Sequence, residues 1–179
     1  MTRQPYDDEE AWLMSTGRSP DPLPDAGFSP ARWRAAGVFI VVGFTAIIAG
    51  GLVAAVAGPA DLADGSWVAA YLVLVVGVAQ LALGIGQAWL SAHPPVRARR
   101  TWQLALYNVG NVAVLVGNLI DATAAVLAGG ALLFAALVLF LVAMRGARGH
   151  RLLVAGYRLI VSVLAVSIPI GLTLSVLRH

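Results

Sequence analysis

The chain lacks cysteine and lysine altogether, and only 12% of its 179 residues are charged. Without cysteine it can form no disulfide, thiolate metal site, iron–sulfur cluster or cysteine nucleophile. Its three histidines, His93, His150 and His179, lie in predicted loops or at the last position, which argues against a haem held between helices. The predicted helices carry no cluster of His, Asp or Glu for zinc, and no phosphate-binding loop occurs. We therefore expect a protein without cofactor, metal or catalytic activity.

Apolar residues take the place of the missing polar ones: 59% of the sequence is hydrophobic, and the mean hydropathy is +0.82. A soluble domain is nearer one-half apolar and one-quarter charged. The apolar residues are concentrated in runs of about 20, the length that a helix needs to cross the hydrocarbon layer of a bilayer. This pattern predicts an integral membrane protein, which is surrounded by lipid and does not bind nucleic acid.

The sequence predicts an all-α, polytopic membrane helix bundle over residues 35–179, preceded by a disordered cytoplasmic tail over residues 1–34. Prolines in the tail prevent a continuous helix there. Five apolar segments are predicted to cross the membrane, at about 35–57, 67–90, 102–120, 122–144 and 153–177. Arg158 and Pro169 make the last segment less apolar, so the alternative is four spans and one re-entrant or tilted element.

The arginines indicate how the chain crosses the membrane. They stand before the first segment and after the second and fourth, whereas the loop at 58–66 and the turn at Asp121 have none. The positive-inside rule then places the N-terminus in the cytoplasm and, after five crossings, the C-terminus outside. Arginine without lysine, in a chain rich in Ala, Gly, Val and Leu, leads us to expect a high-GC, actinobacterial source and a bacterial cytoplasmic (inner) membrane. The loop residues that set this topology are Arg97, Arg99, Arg100, Arg145, Arg148 and Arg151.

The third segment carries polar and small residues on one half of its surface. At about 100° per residue, Asn108, Asn111 and Asn118 fall on one stripe of the helix. An adjoining stripe holds Gly110, Gly117, Gln103 and Asp121. The opposite half is apolar and suits lipid or an apolar neighbour, so the polar half is expected to face the interior of the bundle.

The second segment has a similar stripe, formed by Gly77, Gln80, Gly84 and Gln87 at the spacing of a helix-packing seam. Because a short loop joins the second and third segments, they are expected to lie antiparallel, with Gln80 and Asn111 at a similar depth. Two facing amides satisfy each other's donors and acceptors without charge. We expect the glycines to allow close packing and the amides either to bond across the two helices or to line a pocket.

Two functional hypotheses follow. The first is a non-catalytic accessory or scaffold subunit of a larger respiratory or transport complex, with a membrane-protein partner or a second copy of itself. The alternative is a small oligomeric transporter, or a protein that binds a solute, quinone or lipid between the amides of Gln80, Gln87, Asn108, Asn111 and Asn118. Direct contact between Gln80 and Asn111 favours the first hypothesis, and a cavity between them favours the second.

Overall fold

The computed structural model describes residues 30–91, 96–145, 147 and 151–177. Over these residues the chain is all-helical, with no strand, which confirms the predicted fold class at that level. It forms five helices, α1 (Pro30–Ala57), α2 (Gly65–Leu90), α3 (Arg97–Leu119), α4 (Thr123–Ala143) and α5 (Arg151–Leu177). Most of the predicted N-terminal tail, residues 1–29, lies outside the described residues.

Two helices begin earlier than the apolar runs predict. Helix α1 starts at Pro30 rather than near Ala35, because proline suits the first turn of a helix, where its missing N–H leaves no bond unmade. Helix α3 starts at Arg97 rather than near Trp102. Arginine is a good helix former, so each helix continues into polar sequence that hydropathy alone does not assign to it.

Three of the described helices are long and apolar enough to cross a membrane. The qualifying stretches are Arg32–Ala57 and Gly65–Leu90, with 26 residues each, and Thr123–Ala143, with 21. Large apolar side chains are exposed at helical spacing, as on α1 at Val41, Phe44, Ile48 and Leu52. An outward-facing apolar stripe of this kind suits a lipid environment and would be costly in water.

The bundle is built from two tight hairpins, α1 with α2 and α3 with α4, and α5 packs chiefly on α4. Glycines allow the two helices of each hairpin to pack closely. A Cβ at Gly84 of α2 would overlap the Cβ and Cγ of Phe39 on α1, and one at Gly110 of α3 would lie 2.9 Å from the carbonyl oxygen of Gly129 on α4. Helix backbones therefore approach each other where a side chain would not fit.

A core of apolar side chains joins the two hairpins. It includes Phe39, Leu83, Tyr107, Leu137 and Phe140, from α1 to α4, and further residues of α5. The rings of Phe39 and Phe140 meet edge to face, with their centroids 5.7 Å apart. This arrangement is favourable beyond the area that it buries.

The two ends of the bundle differ in charge. At one end, here called the arginine end, α1, α3 and α5 begin and α2 and α4 finish. Arginine side chains there donate to backbone carbonyls: Arg32 to Ala88 at 3.1 Å and Arg158 to Met144 at 2.6 Å. The opposite end, here called the aspartate end, carries the loops with Asp61, Asp64 and Asp121.

Candidate functional site

Neutral polar side chains are buried or half-buried along both α2 and α3. Helix α2 spans about 30 Å from the first of its polar positions to the last, at 1.5 Å per residue, which matches the thickness of a bilayer's hydrocarbon layer. In order from the aspartate end, α2 contributes Tyr71, Gln80, Gln87 and Ser91, and α3 contributes Asn111, Tyr107 and Gln103.

The half of the bundle nearer the arginine end is here called the arginine half, and the other is the aspartate half. The buried polar residues of the arginine half form what we call the glutamine layer: Gln80, Gln87, Ser91 and Gln103. The three glutamines are 1%, 1% and 0% exposed, respectively. Neither the amide oxygen nor the amide nitrogen of any of them has a hydrogen-bond partner among the residues that the structure describes, and the Ser91 hydroxyl has none either. A buried polar group left in this state destabilises the fold by about 1–3 kcal/mol.

Local sequence explains which of these side chains share a helix face, over about 16 Å along α2. Gln80, Gln87 and Ser91 are seven and four residues apart, which puts them on one face of α2. Gln103 lies in the second turn of α3, which begins at the arginine end, so it lies toward the same end of the bundle as Gln87 and Ser91. From the sequence, Gln80 and Gln87 were predicted to belong to a polar seam or pocket, and Gln103 to share a stripe with the glycines of α3. It gave Ser91 no role, although Ser91 continues the same stripe one turn after Gln87.

The asparagines behave differently from the glutamines. Asn111 is buried; its Oδ1 accepts from the Tyr71 hydroxyl at 2.9 Å, and its Nδ2 donates to the carbonyl of Tyr107 at 2.8 Å. Asn108 donates to the carbonyl of Leu104, one turn earlier in its own helix, at 2.8 Å. Asn118 is exposed. The six polar atoms of the three asparagines therefore do not form one pocket.

Gln80 and Asn111, for which the sequence left open either direct contact or a pocket, are not hydrogen-bonded to each other. Tyr71 takes the Asn111 oxygen, and both amide atoms of Gln80 lack partners among the described residues. The physical reason is that α2 packs mainly on α1 while α3 packs mainly on α4. The gap between α2 and α3 is wider than the gap within either hairpin, and the long side chains of Tyr71 and Tyr107 bridge it.

The glycines of α2 and α3 also pack on helices other than each other. Gly77 and Gly84 of α2 face Ile47 and Phe39 of α1. Gly110 and Gly117 of α3 instead face α4, against Gly129, Leu133, Ala125 and Val126. All four positions are in close contact, but each stripe packs within its own hairpin and not across α2 and α3.

Tyrosine hydroxyls link α2 to its neighbours, a role that the sequence did not reveal. Tyr107 of α3 donates to the Val75 carbonyl at 2.6 Å, and Tyr157 of α5 donates to the Leu83 carbonyl at 3.0 Å. Val75 lies in a π-helical segment of α2, Leu72–Val78. π-helical turns displace carbonyls from the usual hydrogen-bond ladder and often mark functional positions. Hydropathy does not distinguish a π-helical turn from an α-helical one, so the sequence did not predict this segment.

A cavity of about 350 Å³ lies among α2, α3, α4 and α5. Its size falls within the range of small-molecule sites, about 300–1,000 Å³. Among the described residues that line it, Tyr107 is the one with a polar side chain, and the others are apolar. The lining is Leu74, Val75, Ala79, Tyr107, Leu133, Leu137 and Leu164.

The predicted topology residues lie at or near the arginine end. Arg97, Arg99, Arg145 and Arg151 are exposed, and Arg100 donates to the carbonyl of Arg34 at 3.1 Å. Arg148 lies outside the described residues. The positive-inside prediction depends on the clustering of these five described arginines at one end of the bundle. The orientation of the chain stays a prediction.

Comparison with known proteins adds no further constraint: no family model, curated protein or solved structure matches the chain. Within the described residues there is also no group of three or more His, Cys, Asp or Glu side chains placed to hold a metal ion. A functional interpretation therefore rests on the glutamine layer, the tyrosine links and the cavity.

Proposed function

We propose that the chain is a non-catalytic, five-span protein of a bacterial inner membrane that binds a small neutral ligand inside its helix bundle. This is the second of the two hypotheses that the sequence allows. The observation that supports it best is the glutamine layer, where the amides of Gln80, Gln87 and Gln103 are buried without a partner among the described residues.

The energetic argument is a comparison with leucine. An amide that is buried and unpartnered costs about 1–3 kcal/mol, whereas an apolar side chain of similar shape at the same place would be neutral or stabilising. Three such amides in the interior of one bundle therefore destabilise the fold considerably if their only role is packing. Their cost is offset if a ligand with hydrogen-bonding oxygens occupies the layer during function.

Helix length supports five crossings. Helix α3 has 23 residues and α5 has 27. At 1.5 Å per residue these helices are about 35 Å and 40 Å long, more than the roughly 30 Å of hydrocarbon to be crossed. Arginines at its start and asparagines further along make α3 less apolar than its neighbours, but its polar side chains Gln103, Tyr107 and Asn111 are buried, and buried positions are where such groups are tolerated in membrane helices.

The orientation is proposed on the same basis. Exposed arginines cluster at the end where α1 begins, and aspartates occupy the loops of the other end. The N-terminus is then cytoplasmic and the C-terminus outside. Cysteine-scanning accessibility from either side of intact cells would test this, and labelling of both residues 58–66 and residues 92–96 from the same side would contradict it.

Replacement of the glutamines by leucine tests the binding role. We would compare the thermal unfolding of Gln80→Leu and Gln87→Leu with the parent protein, first in ligand-stripped detergent and then with an extract of the host membrane. We expect the variants to be as stable as the parent, or more stable, when stripped, because an unpartnered amide is removed. We also expect the extract to raise the unfolding temperature of the parent and not that of the variants.

Asn118→Leu is the matched control, because Asn118 is an exposed amide outside the glutamine layer. It should keep the response to the extract. If both glutamine variants lose stability in stripped detergent, the amides are structural and the proposal is wrong. It is also wrong if the extract does not stabilise the parent protein.

The accessory-subunit hypothesis remains as a second candidate because of an open groove at the aspartate end. Gly51 of α1 and Gly58 after it are exposed, and a Cβ at either would meet nothing within 4 Å. With Ala54, Ala57, Ala70 and neighbouring residues they border a groove of about 460 Å³ between α1 and α2. Small residues permit close approach of a further membrane helix.

A pair of glycine variants tests this second candidate. Gly51→Leu should remove a co-purifying membrane protein in native pull-down if a partner helix occupies the groove. Gly37→Leu is the control, since Gly37 also has nothing within 4 Å but lies near the arginine end of α1. Equal recovery of every partner with both variants would exclude this groove as the docking surface.

A further inference from the structure

The cavity beside the glutamine layer is apolar and reaches the flank of the bundle. Its lining residue Leu74 is 60% exposed and Val75 is 36% exposed, so both also belong to the outer surface. Leu133 and Leu137 line it from the buried side. In a membrane-spanning bundle, an opening on the flank faces lipid tails, and an apolar chain can enter without contact with water.

The cavity and the glutamine layer are closest to each other on α3. Gln103 lies one turn before Tyr107 on the same face of this helix, and Tyr107 lines the cavity. On α2, Gln80 follows the lining residue Ala79 but lies about 100° further round the helix, so Gln103 is the amide that helix geometry relates to the cavity. One molecule of modest length can therefore place an apolar part in the cavity and a polar part toward Gln103.

The polar part of such a molecule should be uncharged. The glutamine layer contains amides and a hydroxyl, and neither this layer nor the described lining of the cavity includes an Arg, Asp, Glu or His side chain. An ion held there would have no counter-charge in the site and would be strongly destabilised by desolvation. Amides offer both donors and acceptors, which suits a carbonyl and a hydroxyl equally well.

We infer that the ligand is an uncharged amphipath, with carbonyl or hydroxyl oxygens at the glutamine layer and an apolar chain in the cavity. Two membrane components have this chemistry, an isoprenoid quinone and a diacylglycerol. This inference rests on the proposed function, because it names the class of ligand that the glutamine layer takes.

Direct titration of the purified protein tests the inference. The probes are decylubiquinone and dioctanoylglycerol, with dioctanoyl phosphatidic acid as the charged comparison. At least one neutral probe should bind, and the phosphatidic acid should not compete with it. Gln103→Leu should weaken the binding about tenfold, the effect of losing one good hydrogen bond. Ala79→Leu, which fills the cavity from α2, should weaken it by a similar factor.

Controls keep the outcomes distinct. Asn118→Leu should bind as the parent does, and circular dichroism should show that all variants are helical. Loss of binding in either Gln103→Leu or Ala79→Leu, while that variant stays folded, supports the inference even if the other variant fails to fold. Binding of decylubiquinone alone or of dioctanoylglycerol alone identifies the source of the ligand.

The inference is overturned if the phosphatidic acid competes as well as the neutral probes do. It is also overturned if neither neutral probe binds while a host-membrane extract still stabilises the parent protein and not Gln80→Leu. That second result leaves the proposed function intact and changes only the class of ligand. If the extract also has no effect, the proposed function fails together with the inference.

Discussion

The arginine half and the aspartate half of the bundle treat their polar side chains in opposite ways. In the arginine half, Gln80, Gln87 and Gln103 are fully buried and lack hydrogen-bond partners among the described residues. Toward the aspartate half, Asn111 has a partner on each side of its amide, and Asn118 is exposed. Polar residues in an apolar helix are therefore not one class: those with partners hold helices together, and those without are the candidates for binding.

The largest expected effect comes from overfilling a glycine that packs against a neighbouring helix. Gly84→Ala, toward the arginine end, would place a methyl group on the side chain of Phe39 and should destabilise the protein by about 1–3 kcal/mol, the usual cost of overpacking. Gly51→Ala, toward the aspartate end, is the comparison, because a Cβ there meets nothing within 4 Å. It should be neutral or stabilising by up to about 1 kcal/mol, since alanine is the better helix former. Thermal unfolding in detergent measures both, and equal destabilisation would show that the contact with Phe39 carries no penalty of its own.

Breaking the partnered amide should have the next largest effect. Asn111→Leu leaves the Tyr71 hydroxyl without its acceptor and should destabilise the bundle by about 1–2 kcal/mol. Tyr71→Phe removes the donor from the same bond. In a double-mutant cycle of unfolding free energies, the combined variant should cost less than the sum of the two. Strict additivity would mean that the bond contributes nothing and that the asparagine is no more adhesive than the glutamines.

The link between α3 and the π-helical segment should matter somewhat less. Tyr107→Phe removes the donor to the Val75 carbonyl and should cost about 0.5–1.5 kcal/mol, the usual contribution of a neutral hydrogen bond. Hydrogen exchange should then be faster at the amides of Leu72–Val78 than in the parent. Tyr157→Phe is the matched control, because its bond goes to Leu83, outside that segment. If exchange in the segment increases equally in both variants, the effect is global and not local.

The smallest effect is expected at the exposed and locally bonded asparagines. Asn118→Leu removes no buried contact, and Asn108→Leu removes a bond that stays within one helical turn. Each should change the unfolding free energy by less than about 0.5 kcal/mol. A loss of more than about 1 kcal/mol at Asn118 would indicate a partner beyond this chain and would favour the accessory-subunit hypothesis.

Much of the fold was predictable from the sequence, because helix length and side-chain environment leave a strong local pattern. The five apolar segments correspond to the five helices of the described residues, with differences at the ends where arginines and Pro30 extend a helix. Part of the site was also visible: Gln80 and Gln87 stand out as amides in an apolar run. Their lack of partners was not visible, because it depends on which helix each face meets.

The tyrosines and Ser91 show why sequence reasoning missed the rest of the site. Tyrosine in a membrane helix is commonly an interfacial residue, and nothing local marks Tyr107 as a donor to a carbonyl on another helix. Similarly, the cavity exists because four helices diverge around it. Neither feature has a periodic signature within a single segment.

The sequence by itself determined the helices, their suitability for a membrane and the residues that share a face, since each depends on composition and a period of 3.6 residues. The tertiary structure alone decided which faces meet. A stripe of glycines permits close approach by any helix and does not specify one, so Gly77 and Gly84 could pack on α1 as well as on α3. Because they pack on α1, Asn111 is left to Tyr71, and the amides of the three buried glutamines have no partner among the described residues.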